Sequence, residues 1–103
     1  MYVVLVMYPN QEGAKFDVDY YIETHMPLVE KCLKPYGLVS WEVLHGQSGT
    51  SGTEAPYLCV GVLRFDDPEG YDKGVKATGE QLRGDIPNFT NVRPVRLLAR
   101  ARK

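Results

Sequence analysis

FDVDYYIETHMPLVEKCLKPYG, residues 16–37, decides the fold, because it reads as an amphipathic helix with a histidine in the middle of its apolar side. At about 100° per residue from Asp17, one stripe collects Val18, Tyr21, Ile22, Leu28, Val29, Cys32 and Leu33, while Asp19, Glu23, Glu30, Lys31 and Lys34 collect opposite. His25 falls within the apolar stripe. Apolar neighbours cannot replace the hydration that a charged imidazole loses, so the ring is expected to be neutral, with a lowered pKa, and able to accept a proton.

Both ends of this helix are marked. Asp17 is a good N-cap, Asp19 sets a carboxylate in the first turn, and Phe16 with Tyr21 fits a hydrophobic staple. Lys31 and Lys34 lie towards the far end, where Pro35 and Gly37 stop the helix. Pro27 is the anomaly, because an interior proline has no N–H for the Glu23 carbonyl and crowds it. The sequence therefore predicts a kink or a break just after His25, which either fits the helix to a curved sheet or opens space beside the histidine.

The chain on either side supplies a sheet. Residues 2–8, YVVLVMY, are apolar at both parities, as in a strand covered on both faces. Residues 38–46, LVSWEVLHG, alternate, with Val39, Trp41, Val43 and His45 on one side and Ser40 and Glu42 on the other, as in a partly exposed strand. Residues 57–65, YLCVGVLRF, are again apolar at both parities, and Gly61 permits a close approach or a bulge. Between these two, residues 47–56 read as a flexible connection.

Asp67-Pro68-Glu69 opens a second helix with a cap and a proline in its first turn. It carries Tyr71, Val75, Thr78 and Leu82 at helical spacing. Gly70, Gly74 and Gly79 each weaken it by up to about 1 kcal/mol relative to alanine, so packing has to hold it. A turn through Pro87 and Asn88 over residues 84–91 leads to a last strand over residues 92–101, whose Pro94 suits an edge or a bulge.

The resulting order, βαββαβ, predicts an α+β, ferredoxin-like fold: one four-stranded antiparallel sheet with both helices on one face. The bare face is expected to pack against its copy in a second subunit, giving a homodimer. No repeat or internal boundary is evident, so residues 1–103 read as a single domain.

With 12 basic and 13 acidic residues and a net charge of -1, the composition speaks against a nucleic-acid or anionic-membrane partner for the chain as a whole. Arg93, Arg96, Arg100, Arg102 and Lys103 form a local basic tail, either a solvated strand edge or an anion-binding group. Cys32 and Cys59 fit no disulfide or metal-ligand spacing and read as reduced, buried thiols of a cytoplasmic protein. The opening MYVVLVMYPN is too short for a membrane span and lacks the basic region of a signal peptide, so it reads as a strand at the true N-terminus.

Three segments carry a resemblance. FDVDYYIETHMPLV, residues 16–29, is similar to the pattern F-D-x-x-Y-Y-x-x-x-H-x-P-L; DIPNFTNVRPV, residues 85–95, is similar to D-I-P-N-[YF]-T; and VMYP, residues 6–9, matches a VLYP-like first strand. In these the chain resembles the EthD family of dimeric α/β-barrel proteins, named for a protein of ethyl tert-butyl ether degradation. The resemblance implies the same fold and a homodimer. It also implies His25, Tyr20 and Tyr21 as site residues, in a superfamily that includes cofactor-free monooxygenases, lactone isomerases, decarboxylases and polyketide cyclases. The helical wheel separates the two tyrosines: Tyr21 lies on the His25 side, one turn before it, and Tyr20 points away towards solvent or a loop.

A lone histidine on an apolar face is commonly a structural group with both nitrogens satisfied. Together with Tyr21, and with Tyr8, Tyr57 and Trp41 from the facing sheet, His25 is instead expected to border an aromatic-walled pocket for a small hydrophobic organic ligand, carbonyl-bearing or phenolic. No metal, flavin, nicotinamide or nucleotide pattern is present, nor a nucleophile motif, so no cofactor is expected. The leading expectation is a cofactor-independent enzyme of the isomerase, decarboxylase, cyclase or monooxygenase type. In it His25 is the acid or base, and Tyr21 donates a hydrogen bond to a developing oxyanion. The alternatives are an accessory protein of a degradation pathway that holds a hydrophobic metabolite without turnover, and a structural dimer with a filled core. A void beside His25 separates the first two from the third.

Overall fold

In the computed structural model, which describes residues 1–102, β1 (Tyr2–Pro9) and β3 (Tyr57–Phe65) form the middle of a four-stranded sheet. β2 (Leu38–His45) and β4 (Val95–Arg100) are its edges, in the order β2-β3-β1-β4 with every neighbour antiparallel. Lys103, the last residue of the basic tail, lies outside the described residues. The register pairs Val4 with Leu63, Val6 with Gly61 and Tyr8 with Cys59. Alternation puts Val4, Tyr8, Cys59, Leu63 and Phe65 under the helices, where all are buried. The other parity, Val3, Leu5, Met7 and Val62, lies on the face that no helix covers, which accounts for two central strands apolar on both sides. β4 starts at Val95 and not at Val92, because the Val92 N–H donates to Thr90 Oγ1 at 3.1 Å and Pro94 has no N–H to offer a ladder.

The first helix is continuous but changes register. α1 (Val18–Tyr20) passes into a π-helical turn, Tyr21–His25, and then into α2 (Met26–Leu33). Asp17 caps it, accepting the Tyr20 N–H at 3.0 Å, and the Phe16 and Tyr21 rings meet edge to face at 5.1 Å as a staple should. The irregularity due to Pro27 falls before His25 and not after it. Met26 donates its N–H to the Tyr21 carbonyl, five residues back, so the helix widens ahead of the residue that cannot donate. The widened turn also corrects the wheel: Ile22 is 40% exposed, and Met26, off the expected stripe, is 2% exposed. A 3-10 turn, Lys34–Tyr36, then ends at Gly37 in the left-handed region with φ 100°, which favours glycine.

α3 (Pro68–Asp85) is capped by Asp67, which accepts the Gly70 N–H at 3.0 Å. It runs on to Asp85 and into a 3-10 turn, Ile86–Asn88, so the turn expected from residue 84 begins later. Glycine is what lets it approach the first helix: a Cβ on Gly74 would stand 2.7 Å from Leu33 Cδ2. Cys59 is a buried free thiol as expected, whereas Cys32 is only half-buried. No helix among the described residues is long and apolar enough to cross a membrane.

Candidate functional site

Around an ideal α-helix, Tyr20 and His25 lie about 140° apart. A π turn closes between residues five apart, and here both side chains reach one carboxylate, that of Asp85 at the end of α3. Tyr20 donates its hydroxyl to Oδ1 at 2.7 Å, Asn88 Nδ2 donates to the same oxygen at 2.9 Å, and His25 Nδ1 stands 2.8 Å from Oδ2. An ionised carboxylate only accepts, so Nδ1 carries the hydrogen and Nε2 the lone pair, a tautomer assigned from this network. No fully buried side-chain nitrogen or oxygen among the described residues lacks a partner. Nε2 has none among the described residues, so it is not sealed in, although His25 as a whole is only 5% exposed.

Charge on this pair is set by competing effects. Burial lowers the His25 pKa, and the hydrogen bond and charge of Asp85 only partly oppose it. Burial acts to raise the Asp85 carboxyl, but hydrogen bonds from Asn88, Tyr20 and His25 outweigh it and hold Asp85 below the usual carboxylate range. At neutral pH the arrangement is a neutral imidazole held by a carboxylate, with its second nitrogen free to take a proton.

That nitrogen has somewhere to act. A cleft of about 230 Å³ lies between the sheet and the helices, lined by His25, Tyr21, Tyr8 and apolar side chains such as Met26, Val29 and Leu82. The Tyr21 ring stacks on the imidazole at 5.5 Å and 15°, and Phe89 covers the imidazole at 4.6 Å. Tyr8 meets Tyr21 edge to face at 5.6 Å. The Tyr21 hydroxyl stands over Gly61, where any Cβ would collide with it, so the close approach that Gly61 permits is to this phenol. Burial pushes the Tyr8 phenol up to about 12, against a lowering by Arg96, and pushes Tyr21 further still. Both are hydrogen-bond donors at neutral pH.

Of the residues singled out in the sequence, the fold therefore brings His25, Tyr21 and Tyr8 together at the cleft. Tyr20 joins through Asp85, which corrects the expectation that it points away; its hydrogen bond to that carboxylate raises its own pKa. Trp41 and Tyr57 do not line the cleft: Trp41 donates Nε1 to Glu30 at 3.0 Å, and Tyr57 starts β3 opposite Pro9. Asp85 is not singled out by the sequence reading as a site residue, and Arg96 enters it only within the basic tail, as a solvated strand edge or an anion-binding group; the structure places Arg96 in the cleft lining. Asp85 had a signal, since it opens the D-I-P-N segment. Among the described residues no three His, Cys, Asp or Glu side chains gather in a way that could hold a metal ion.

No family model matches the chain, and no curated protein does. Solved structures do. An EthD-like protein from Ralstonia eutropha JMP134 is 32% identical, with 95% of this chain and 88% of that chain covered and a TM-score of 0.90. An EthD family protein from Bacillus halodurans C-125 is 20% identical over 99% of both chains, with a TM-score of 0.74. A dimeric ferredoxin-like protein from an uncultured marine organism has the same fold at 10% identity, with 99% of this chain and 97% of that chain covered and a TM-score of 0.58. Given the identity to the first of these over nearly the whole of both chains, this protein belongs to the EthD family.

Proposed function

We propose that this EthD protein is a cofactor-independent enzyme that moves a proton at a carbon next to the carbonyl of a small, mainly apolar compound. The observation that carries the reading is His25: Asp85 fixes one nitrogen, and the other is open beside a largely apolar cleft. Nε2 takes the proton, the C–H electron pair moves onto the carbonyl oxygen, and the Tyr21 hydroxyl, kept protonated by burial, donates to the enolate oxygen. Where the enolate is conjugated with a further double bond, return of the proton from the imidazolium to the far carbon of that system completes an isomerisation and restores the base. The unit is a homodimer in the cytoplasm. The uncovered apolar sheet face and the dimeric state of a neighbour with the same fold support the first, and the free thiols of Cys32 and Cys59 support the second.

The test is solvent deuterium exchange at the activated carbon of small lactones, aryl ketones and β-keto acids, followed by NMR. Wild type accelerates exchange in at least one class, and His25→Asn stays folded and loses the acceleration by about 10²–10⁴-fold, the usual share of a general base. Ligand-dependent thermal stabilisation with no exchange in any class would instead make the protein a carrier of such a compound.

A further inference from the structure

Arg96 is a charged cleft residue that proton transfer at His25 does not use. It pairs with Val6 across β4 and β1, and Val6 pairs on its other side with Gly61, so the three form one row across the sheet on the face below the helices. Val6 and Arg96 of this row line the cleft, whereas Gly61 is covered by the Tyr21 side chain. At one end the Tyr21 hydroxyl stands over Gly61. At the other, two strand spacings or about 10 Å away along the backbone, Arg96 enters the cleft lining.

A guanidinium keeps its charge at any physiological pH. Among the described residues, the ion pairs are His25 with Asp85 and Glu42 with Arg64, so neither Arg96 nor Arg83, the second cleft arginine, has a carboxylate within ion-pair distance. Asp85, the carboxylate beside His25, already accepts from three donors. The positive field is felt inside the cleft, since Arg96 lowers the pKa of Tyr8, Tyr21 and Tyr71 against the rise from burial. Arg96 is exposed to solvent at the mouth of a mainly apolar cleft whose other end carries a phenol donor, and a cation so placed without a carboxylate partner is complementary to a ligand with an apolar body and one anionic end.

We propose that Arg96 anchors a substrate carboxylate, so that the site takes small apolar keto acids in preference to neutral ketones, lactones or phenols. The proposal rests on the acid–base reading of His25, and it adds the group that selects and orients the substrate. Planar guanidinium and carboxylate can pair through two parallel hydrogen bonds, which fixes direction as well as position.

The experiment measures binding of phenylpyruvate and of its methyl ester by calorimetry, to wild type, Arg96→Gln, Arg96→Lys and His25→Asn, with thermal unfolding of each as a check on folding. Wild type binds the acid about tenfold or more tighter than the ester. Arg96→Gln removes that preference by weakening the acid alone, Arg96→Lys restores part of it, and His25→Asn retains it while losing exchange at the carbon next to the ketone. Equal affinity of wild type for acid and ester overturns the anchor, and this holds even if Arg96→Gln does not fold. A preference that survives in folded Arg96→Gln overturns it too. No saturable binding of the acid overturns the anchor as well, and in each of these cases His25-dependent exchange in lactones, aryl ketones or β-keto acids leaves the acid–base reading standing.

Discussion

At the residue scale the site is one imidazole between a burial effect and a carboxylate. Because burial wins, NMR titration of His25 will give a midpoint below the ordinary value of about 6.5. Between those two values the unfolded chain holds more protons than the folded one, so the His25 contribution is complete above about pH 6.5 and is lost as pH falls towards the folded midpoint. In His25→Asn that part of the slope of stability against pH will be missing, and an unchanged slope would refute the lowered pKa. Asp85 acts in the same sense at lower pH: its folded pKa is depressed, so its contribution is present above its unfolded value and disappears on acidification. Asp85→Asn puts an amide where three donors need an acceptor, and releases the tautomer of His25. We expect exchange to fall on the order of 10²-fold or more and stability by about 1–3 kcal/mol, the range for losing hydrogen bonds to a charged group that is partly buried. A variant with wild-type exchange rates would show that the carboxylate does not position the base.

At the element scale the π turn and the glycine below it set the geometry, and they can be tested together. Gly61→Ala forces a methyl group into the space of the Tyr21 hydroxyl and should cost about 1–3 kcal/mol, as overpacking of a core does. Tyr21→Phe removes the oxygen that collides and leaves the ring at ordinary contact distance, so the double variant should regain about 1 kcal/mol or more over the sum of the singles. Strict additivity in thermal unfolding would mean that the phenol does not rest on that glycine. The same turn explains what could be read in the sequence. Caps, staple and stop signal follow from the chemistry of Asp17, Phe16 with Tyr21, and Pro35 with Gly37, and the burial of Tyr21 and His25 from a helical period of 3.6, so all of these were legible. Tyr20 and Ile22 were misplaced because one wider turn changes the phase of everything around it, and Pro27 announces an irregularity without saying on which side it falls. Asp85 lies 60 residues from His25, and their meeting depends on how closely α3 packs on the first helix at Gly74, which no local pattern encodes. Arg96 read as part of a charged tail, since only the pairing of β4 with Val6 turns it towards the cleft. Trp41 lies on the same sheet face as Gly61 and Leu63, but its indole turns to Glu30.

At the scale of the whole molecule, one layer of helices on one sheet gives a slab of 39 × 36 × 19 Å with an unprotected side. On that side Leu44 is 51% exposed, Val95 49% and Leu97 48%. Their register partners are Val60, Met7 and Leu5, so the apolar surface is continuous across all four strands and cannot be put down to scattered single residues. The cleft opens on the opposite face, so covering this one leaves His25 untouched. Two such faces packed together would bury each other about a twofold axis, which is how a domain of this size gains the burial that its own core lacks. Sedimentation at micromolar concentration should therefore give twice the mass of one chain, and the unfolding temperature should rise with protein concentration, as mass action requires of an oligomer. Leu97→Glu places a charge in the middle of the edge strand's contribution to the face. It should shift the protein to single chains whose unfolding temperature is lower and no longer depends on concentration. A wild-type protein that sediments as a folded single chain, with an unfolding temperature independent of concentration, would end the barrel reading, because the apolar face would then have to be stable in water by itself.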